Sequence, residues 1–221
     1  MSIRTLIVGA SGGIGAALAA KCRDDGEVVT LSRSADGLDV TDEASIERAI
    51  ATLDDTFQRV FVAVGILAPE GGQPERRLGE VEPDALAYLF AVNATGPLLV
   101  LKHLIPHLAK DEGVRIGILS ARVGSIGDNE IGGWYAYRAS KAALNQFVRT
   151  AAVELSRSHP ESVLAALHPG TVATPFTADY QGRHRTVSPE TAAENLVRVL
   201  SGLGPEETGS FRDQNGETVP W

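Results

Sequence analysis

Short runs of consecutive apolar residues alternate along the chain with longer stretches whose apolar positions recur every three or four residues. Arg4 to Val8, Glu27 to Leu31, Arg59 to Val64, Val114 to Leu119 and Val163 to Leu167 are runs rich in Val, Ile and Leu. Successive apolar positions leave no polar face, so these runs predict strands buried on both sides. Ala16 to Lys21, Asp42 to Leu53, Pro83 to Leu108, Tyr135 to Ser158 and Pro189 to Leu200 carry helix formers and the helical period. Strict alternation of the two predicts a parallel sheet with helices on each face, an α/β, doubly wound arrangement in three layers.

The 221 residues, 43% of them hydrophobic, suffice for one large core, and a single domain over residues 1–221 is expected. A formal net charge of -8 without clustered Lys and Arg argues against a nucleic-acid footprint. Cys22, the one cysteine, has no internal partner and falls in the first predicted helix, where a small packed side chain is expected. The amino terminus begins a strand almost at once, without a charged-then-apolar leader, and no apolar stretch is read as reaching the roughly 20 residues that cross a bilayer. A cytoplasmic chain that binds neither nucleic acid nor membrane is the expectation.

Gly9-Ala10-Ser11-Gly12-Gly13-Ile14-Gly15 lies between the first strand and the first helix. Strand, glycine turn and helix make a phosphate-binding unit: Gly9 lets the chain leave the strand sharply, Gly13 leaves room for a pyrophosphate, and Gly15 lets the helix pack closely on the sheet. The helix start adds free N–H groups and the positive end of its dipole. The spacing is not GxGxxG, and no Lys-Ser/Thr pair follows to make a triphosphate-binding loop. A tight turn into a packed helix would need similar glycines; the strand and helix around them favour a dinucleotide and a Rossmann-type sheet. Glu70 to Pro74, Gly124 to Gly133 and Thr174 to Ser188 are the longest unpatterned stretches. In open α/β sheets ligands bind beyond the carboxyl ends of strands, where such loops gather.

Tyr137 stands four residues before Lys141 in the predicted helix from Tyr135. Residues four apart share a face, so phenol and ammonium can lean over one patch of space. Bringing a phenol from its ordinary pKa of about 10 to near neutrality requires about 4 kcal/mol. A positive charge about 4 Å away supplies about that much at an effective dielectric of about 20. Lys141 is therefore expected to tune Tyr137 as a proton donor and acceptor. A surface Tyr and Lys would read the same way if the pair stood alone.

At these residues the chain resembles the short-chain dehydrogenase/reductase family, whose pattern is TGxxxGxG near the start and YxxxK past the middle. Other pieces follow in order over nearly the whole chain. Leu38-Asp39-Val40 sits where the family places an Asp that bonds adenine, Val92-Asn93-Ala94-Thr95-Gly96 matches its central-helix Asn, and Pro169-Gly170-Thr171-Val172-Ala173-Thr174 its nicotinamide-side motif. The resemblance implies a dinucleotide held by Gly9, Ser11, Gly12, Gly13, Ile14, Gly15, Asp39, Val40, Gly65, Tyr137, Lys141, Pro169, Gly170, Val172 and Thr174. It also implies that Lys141 binds the nicotinamide ribose and that Asn93 extends a proton relay through water to the lysine. An amide that satisfies backbone groups is the plainer reading of Asn93. The segments Ser120 to Asn129, Gly132 to Asn145 and Asn215 to Trp221 resemble the C-factor-like and sniffer-like carbonyl reductase branch.

Two departures stand out. The family's carbonyl-polarising serine falls in register at Ala121, with Ser120 just before and Ser125 just after Gly124. Neighbours on a strand face opposite ways, so Ser120 is expected to serve only if the strand end bends, and Ser125 or no serine is the alternative. The family's NNAG segment is Val62-Ala63-Val64-Gly65, which keeps the glycine and loses the amides.

Arg33, flanked by Ser32 and Ser34 after the second strand, offers charge-assisted donors to a 2′-phosphate, which favours NADP(H) over NAD(H). A solvated loop arginine is the plainer reading. The expected chemistry is hydride transfer between nicotinamide and a carbonyl carbon, with Tyr137 moving the proton and Lys141, Ser120 and Asn93 assisting. The competing expectation is a dinucleotide-binding regulator with little turnover. The family's usual dimers or tetramers would form through Pro83 to Leu108 and Tyr135 to Ser158. His103 and His107, four apart with Pro106 between, lack a third ligand cluster, so no metal is expected. His168 either touches substrate or caps its strand; Trp134 and Tyr135 either wall an apolar pocket or pack. Pro175 to Val187, with Phe176, Tyr180, Arg183, His184 and Arg185, is expected to lie over a small or moderately polar carbonyl compound.

Overall fold

The computed structural model describes residues 2–54, 56–109, 113–180 and 186–221. Six strands, β1 (Thr5–Val8), β2 (Val28–Leu31), β3 (Arg59–Val62), β4 (Arg115–Leu119), β5 (Val163–His168) and β6 (Phe211–Asp213), form one sheet in the order β2-β1-β3-β4-β5-β6. Every pairing is parallel. The helices are α1 (Gly13–Cys22), α2 (Arg33–Asp36), α3 (Glu43–Ile50), α4 (Pro83–Phe90), α5 (Gly96–Leu104), α6 (Tyr135–Ser158) and α7 (Pro189–Gly202).

The strands lack a polar face because both faces are covered. Leu6, Val8, Val60, Val62, Ile116, Ile118, Leu164 and Ala166 point to the layer of α3 to α6. Ile7, Phe61, Leu119, Ala165 and Leu167 point the other way, onto Leu18 of α1 and Leu196 and Leu200 of α7. The alternation within each strand assigns later residues as well: Ser120 and His168 continue the rows that face α6. Cys22 is buried in the α1 layer as expected. The Rossmann-type, doubly wound, three-layer arrangement expected from the hydropathy pattern is observed. After β1 the chain runs first to β2 on one side and later to β3 on the other, and that reversal opens the crevice where ligands of such sheets sit.

Three expectations change. β6 has no counterpart among the predicted strands, being only three residues between Gly209-Ser210 and a turn at Asp213–Gly216. The predicted continuous helix from Pro83 is interrupted by a π turn at Ala91–Thr95 and ends in a single 3-10 turn at Ile105–His107. The stretch Pro83–His107, 25 residues with an 18-residue window of mean hydropathy 1.5, is by length and composition enough to cross a bilayer, contrary to the sequence reading. It packs here against α3 and α6.

Candidate active site

The glycine turn is built by the main chain. Gly9 takes φ +92°, and a Cβ on it would stand 2.6 Å from the Ala63 carbonyl oxygen, so the left-handed exit from β1 is open to glycine. A Cβ on Gly13 would come 2.7 Å from Thr174 Cγ2: the segment after Pro169-Gly170 closes directly over the turn. Gly15 lies against the Gly9 carbonyl, which brings α1 onto the sheet as expected. α1 has Gly12 as its N-cap and no side-chain cap, leaving its first amides to an anion. These features fit a dinucleotide pyrophosphate.

The adenosine side is partly rewired. Ser32 Oγ accepts from Ala35 N at 3.2 Å to cap α2, and Ser32 N donates to Asp36 Oδ2 at 2.7 Å. Ser32 is thus committed within its own loop, which removes it from the expected set of phosphate donors, while Arg33 and Ser34 stay exposed. Asp36 was not singled out by the sequence reading. Asp39 accepts from the Thr41 hydroxyl and amide at 2.7 and 2.9 Å. These bonds, helped by the charge of Arg33, hold its carboxyl below the usual range. Val40 is buried and packs on Gly96.

Tyr137 and Lys141 are one turn apart on α6, 6% and 3% exposed. Lys141 Nζ donates to the Leu119 carbonyl at 3.0 Å, and the Cβ position of Gly65 lies 3.2 Å from it. Burial lowers the Lys141 pKa to about 8. Burial moves Tyr137 above the ordinary tyrosine range, the opposite of the direction expected from a neighbouring cation. Trp134 meets the Tyr137 ring edge-on at 6.1 Å and Phe176 meets it tilted at 6.2 Å. Trp134 is the only non-glycine at positive φ among the described residues, at φ 53°, after Gly132 and Gly133 at 70° and 65°. Such a backbone costs of order 1–3 kcal/mol. Tyr135, 38% exposed, points outward and does not wall this pocket.

Asn93 sits on the π turn with both amide atoms hydrogen-bonded. Oδ1 accepts from Ile66 N at 2.7 Å, and Nδ2 donates to Ile66 O at 2.8 Å and to Ser140 Oγ at 3.1 Å. The plainer reading, an amide that satisfies backbone groups, describes this side chain. Ser120 is likewise engaged, against the role expected of it. Its hydroxyl donates to Asn145 Oδ1 at 2.6 Å on the buried α6 side. Ser125 Oγ accepts from Asp128 N at 3.1 Å. Ala121 packs in the cluster around Tyr137, as the family register placed it.

A cavity of about 250 Å³ adjoins this cluster, lined by Ile66, Leu67, Ala68, Gly72, Gln73, Pro74, Pro175 and Phe176. Its wall begins at Ile66, upstream of the unpatterned stretch Glu70 to Pro74. A larger cleft of about 700 Å³ lies between α6, β6 and the tail; Tyr137 lines neither cavity, but the smaller one shares Ile66, Leu67 and Phe176 with the residues packed around it. His168 closes β5 beside Ser120, its Nδ1 buried without a hydrogen-bond partner, and burial with the Arg122 charge lowers its pKa to about 4. His103 Nε2 meets Glu43 at 3.0 Å. Arg183, His184 and Arg185 lie outside the described residues, as does the side chain of Tyr180.

The family model described as short chain dehydrogenase matches residues 4–184. The chain is 33% identical over 232 residues, 98% of each protein, to 1-hydroxy-2-glutathionyl-2-methyl-3-butene dehydrogenase of Rhodococcus sp. (strain AD45). It is 40% identical over 145 residues, covering 65% of this chain and 83% of the relative, to the C-signal of Myxococcus xanthus. A putative short-chain dehydrogenase/reductase from Burkholderia multivorans with bound NADP superposes over the whole of both chains, with a TM-score of 0.80 and 29% identity.

Proposed function

Because the chain belongs to the short-chain dehydrogenase family, we propose that it interconverts a carbonyl compound and an alcohol with NADP(H), Tyr137 serving as the acid and base. The observation that carries this reading is the burial of Tyr137 and Lys141 on one face of α6 beside a small cavity, next to a glycine turn open to a pyrophosphate. The bound dinucleotide supplies or accepts the hydride. Tyr137, kept protonated near neutrality by burial, gives its proton to the developing alkoxide in reduction. In oxidation the phenol must first ionise, and Lys141, whose pKa of about 8 leaves it largely charged at pH 7, supplies the stabilising cation. Gly9, Ser11, Gly12, Gly13, Ile14 and Gly15 hold the pyrophosphate, while Pro169, Gly170, Val172 and Thr174 hold the nicotinamide end.

NADP(H) is favoured by exposed Arg33 and by the NADP held in the Burkholderia protein. The apolar lining of the cavity favours aldehydes and ketones with an apolar flank. Assembly into homodimers or homotetramers through α4 to α6, which leave Tyr88 and Val153 exposed, and residence in the cytoplasm belong to the same proposal. Loss of NADPH absorbance with a panel of aldehydes, ketones and quinones tests the reading, together with NADP reduction by the glutathionyl alcohol of the Rhodococcus relative. Turnover of none, with NADPH bound tightly, would favour the second reading: a dinucleotide-binding signalling protein. Two observations speak for that alternative, the likeness to C-signal and the commitment of the Ser120 hydroxyl to Asn145.

A further inference from the structure

The segment Ile66 to Glu75 includes most of the cavity wall and is hung from α6 at both ends. At its start the main chain of Ile66 is gripped by Asn93, which also donates to Ser140 of α6. At its end the Glu75 carbonyl accepts from Trp134 N, and the Glu75 carboxylate faces Ala136 N with its two oxygens at 3.4 and 3.3 Å. Glu75 is only 8% exposed. α6 begins at Trp134 without a side-chain cap of its own. The distances are long for one hydrogen bond, so the main attraction is between a carboxylate and the positive end of a 24-residue helix.

We propose that Glu75 is a positioning residue for substrate. From a loop 61 residues away in sequence it supplies the missing anion at the start of α6, and so fixes the cavity wall and Trp134 against Tyr137. Substrate capture then depends on Glu75, whereas dinucleotide binding, which the glycine turn and the Pro169-Gly170 segment dominate, does not. The inference rests on the oxidoreductase reading of the same site.

Glu75→Ala and Glu75→Gln, assayed with an apolar aldehyde and NADPH, test it. Glu75→Ala is expected to raise KM at least about tenfold, with kcat changed less than about threefold and NADPH Kd unchanged. Glu75→Gln keeps an acceptor oxygen but not the charge and is expected to recover only a minor part of the loss. A Glu75→Ala KM within about twofold of wild type overturns the proposal, as does a parallel loss of kcat and NADPH affinity, the mark of general loosening. Should Glu75→Ala fail to fold, Glu75→Asp, which shortens the reach, is judged by the same limits. A readout without turnover separates the two readings. In a Trp221→Phe background Trp134 is the sole indole. Its emission is expected to shift to the red in Glu75→Ala and, by a smaller amount, in Glu75→Gln; unchanged emission in both overturns the anchoring. A red shift in a protein that turns over no carbonyl supports the anchoring and sinks the oxidoreductase reading instead.

Discussion

The turn after β1 and the wall after β3 stand side by side at the carboxyl ends of neighbouring strands, yet opposite means hold them. The first is fixed by its own main chain: Gly9 N donates to Leu31 O at 2.8 Å and Gly12 N to Gly9 O at 3.1 Å. The second is fixed by distant side chains, Asn93 from the π turn and Glu75 reaching α6. A loop shaped by its own backbone tolerates few residue types and so announces itself. A loop tied by remote amides and carboxylates uses residues found anywhere, and only the folded chain shows the ties.

The comparison breaks most sharply at Tyr137. Tyr137→Phe keeps the ring contacts with Trp134 and Phe176 and removes the proton carrier, so kcat should fall about 10²- to 10⁴-fold with NADPH Kd unchanged. Full steady-state turnover by this variant would sink the acid/base assignment.

Lys141 comes next. Its pKa is lowered from 10.5 to about 8 because burial disfavours the ammonium. A lysine so depressed opposes folding wherever it is charged: the penalty is full below about pH 8 and fades as pH rises to about 10.5. Below about pH 8 it is about 3 kcal/mol. Calorimetry should therefore show Lys141→Met melting above wild type at pH 7, the gap narrowing toward pH 10.5, while turnover drops. Equal melting temperatures at pH 7 would mean that the ammonium is held at no cost.

Ala121→Ser returns a hydroxyl to the Tyr137 cluster. A gain of about tenfold in kcat is expected, short of the roughly 2.7–4 kcal/mol that a well-placed oxyanion donor supplies. No gain would show that the strand end aims this position elsewhere. The smallest effect belongs to the dinucleotide side, where Arg33→Ala should weaken NADPH about fivefold more than NADH, roughly 1 kcal/mol. Equal losses for both cofactors, read by fluorescence titration, would remove Arg33 from the choice.

Legibility in the sequence followed the same division. α6 runs from Tyr135 to Ser158, as its periodicity indicated, because a 24-residue amphipathic pattern leaves little choice of boundary. β3 stops at Val62, two residues short of the apolar run, since Ala63 and Val64 continue into the crevice. β6 escaped notice because three residues carry no period, and its strand character comes from pairing Phe211 to Asp213 with Ala166 to His168. The glycines and the Tyr-Lys pair could be marked from spacing taken together with the strand and helix pattern around them. The commitment of Ser120 to Asn145 could not, although alternation along β4 already placed Ser120 and Ala121 on opposite faces. Glu75 left no trace except a carboxylate beside Pro74, and the Gly132-Gly133-Trp134 sequence hinted at the left-handed entry into α6 without revealing what secures it.

The π turn at Ala91–Thr95 changes the phase of the rod that contains it. Upstream, α4 lies along α6; downstream, α5 also reaches α3. One surplus residue lets a single rod serve two neighbours. Excising a residue from this stretch would leave a smoother helix and rotate everything beyond by about 100°. Val100 and Leu104 would leave the core together. Length between Phe90 and Gly96 is therefore under tighter constraint than side-chain identity at most of those positions, and insertions or deletions there should be far less tolerated than substitutions.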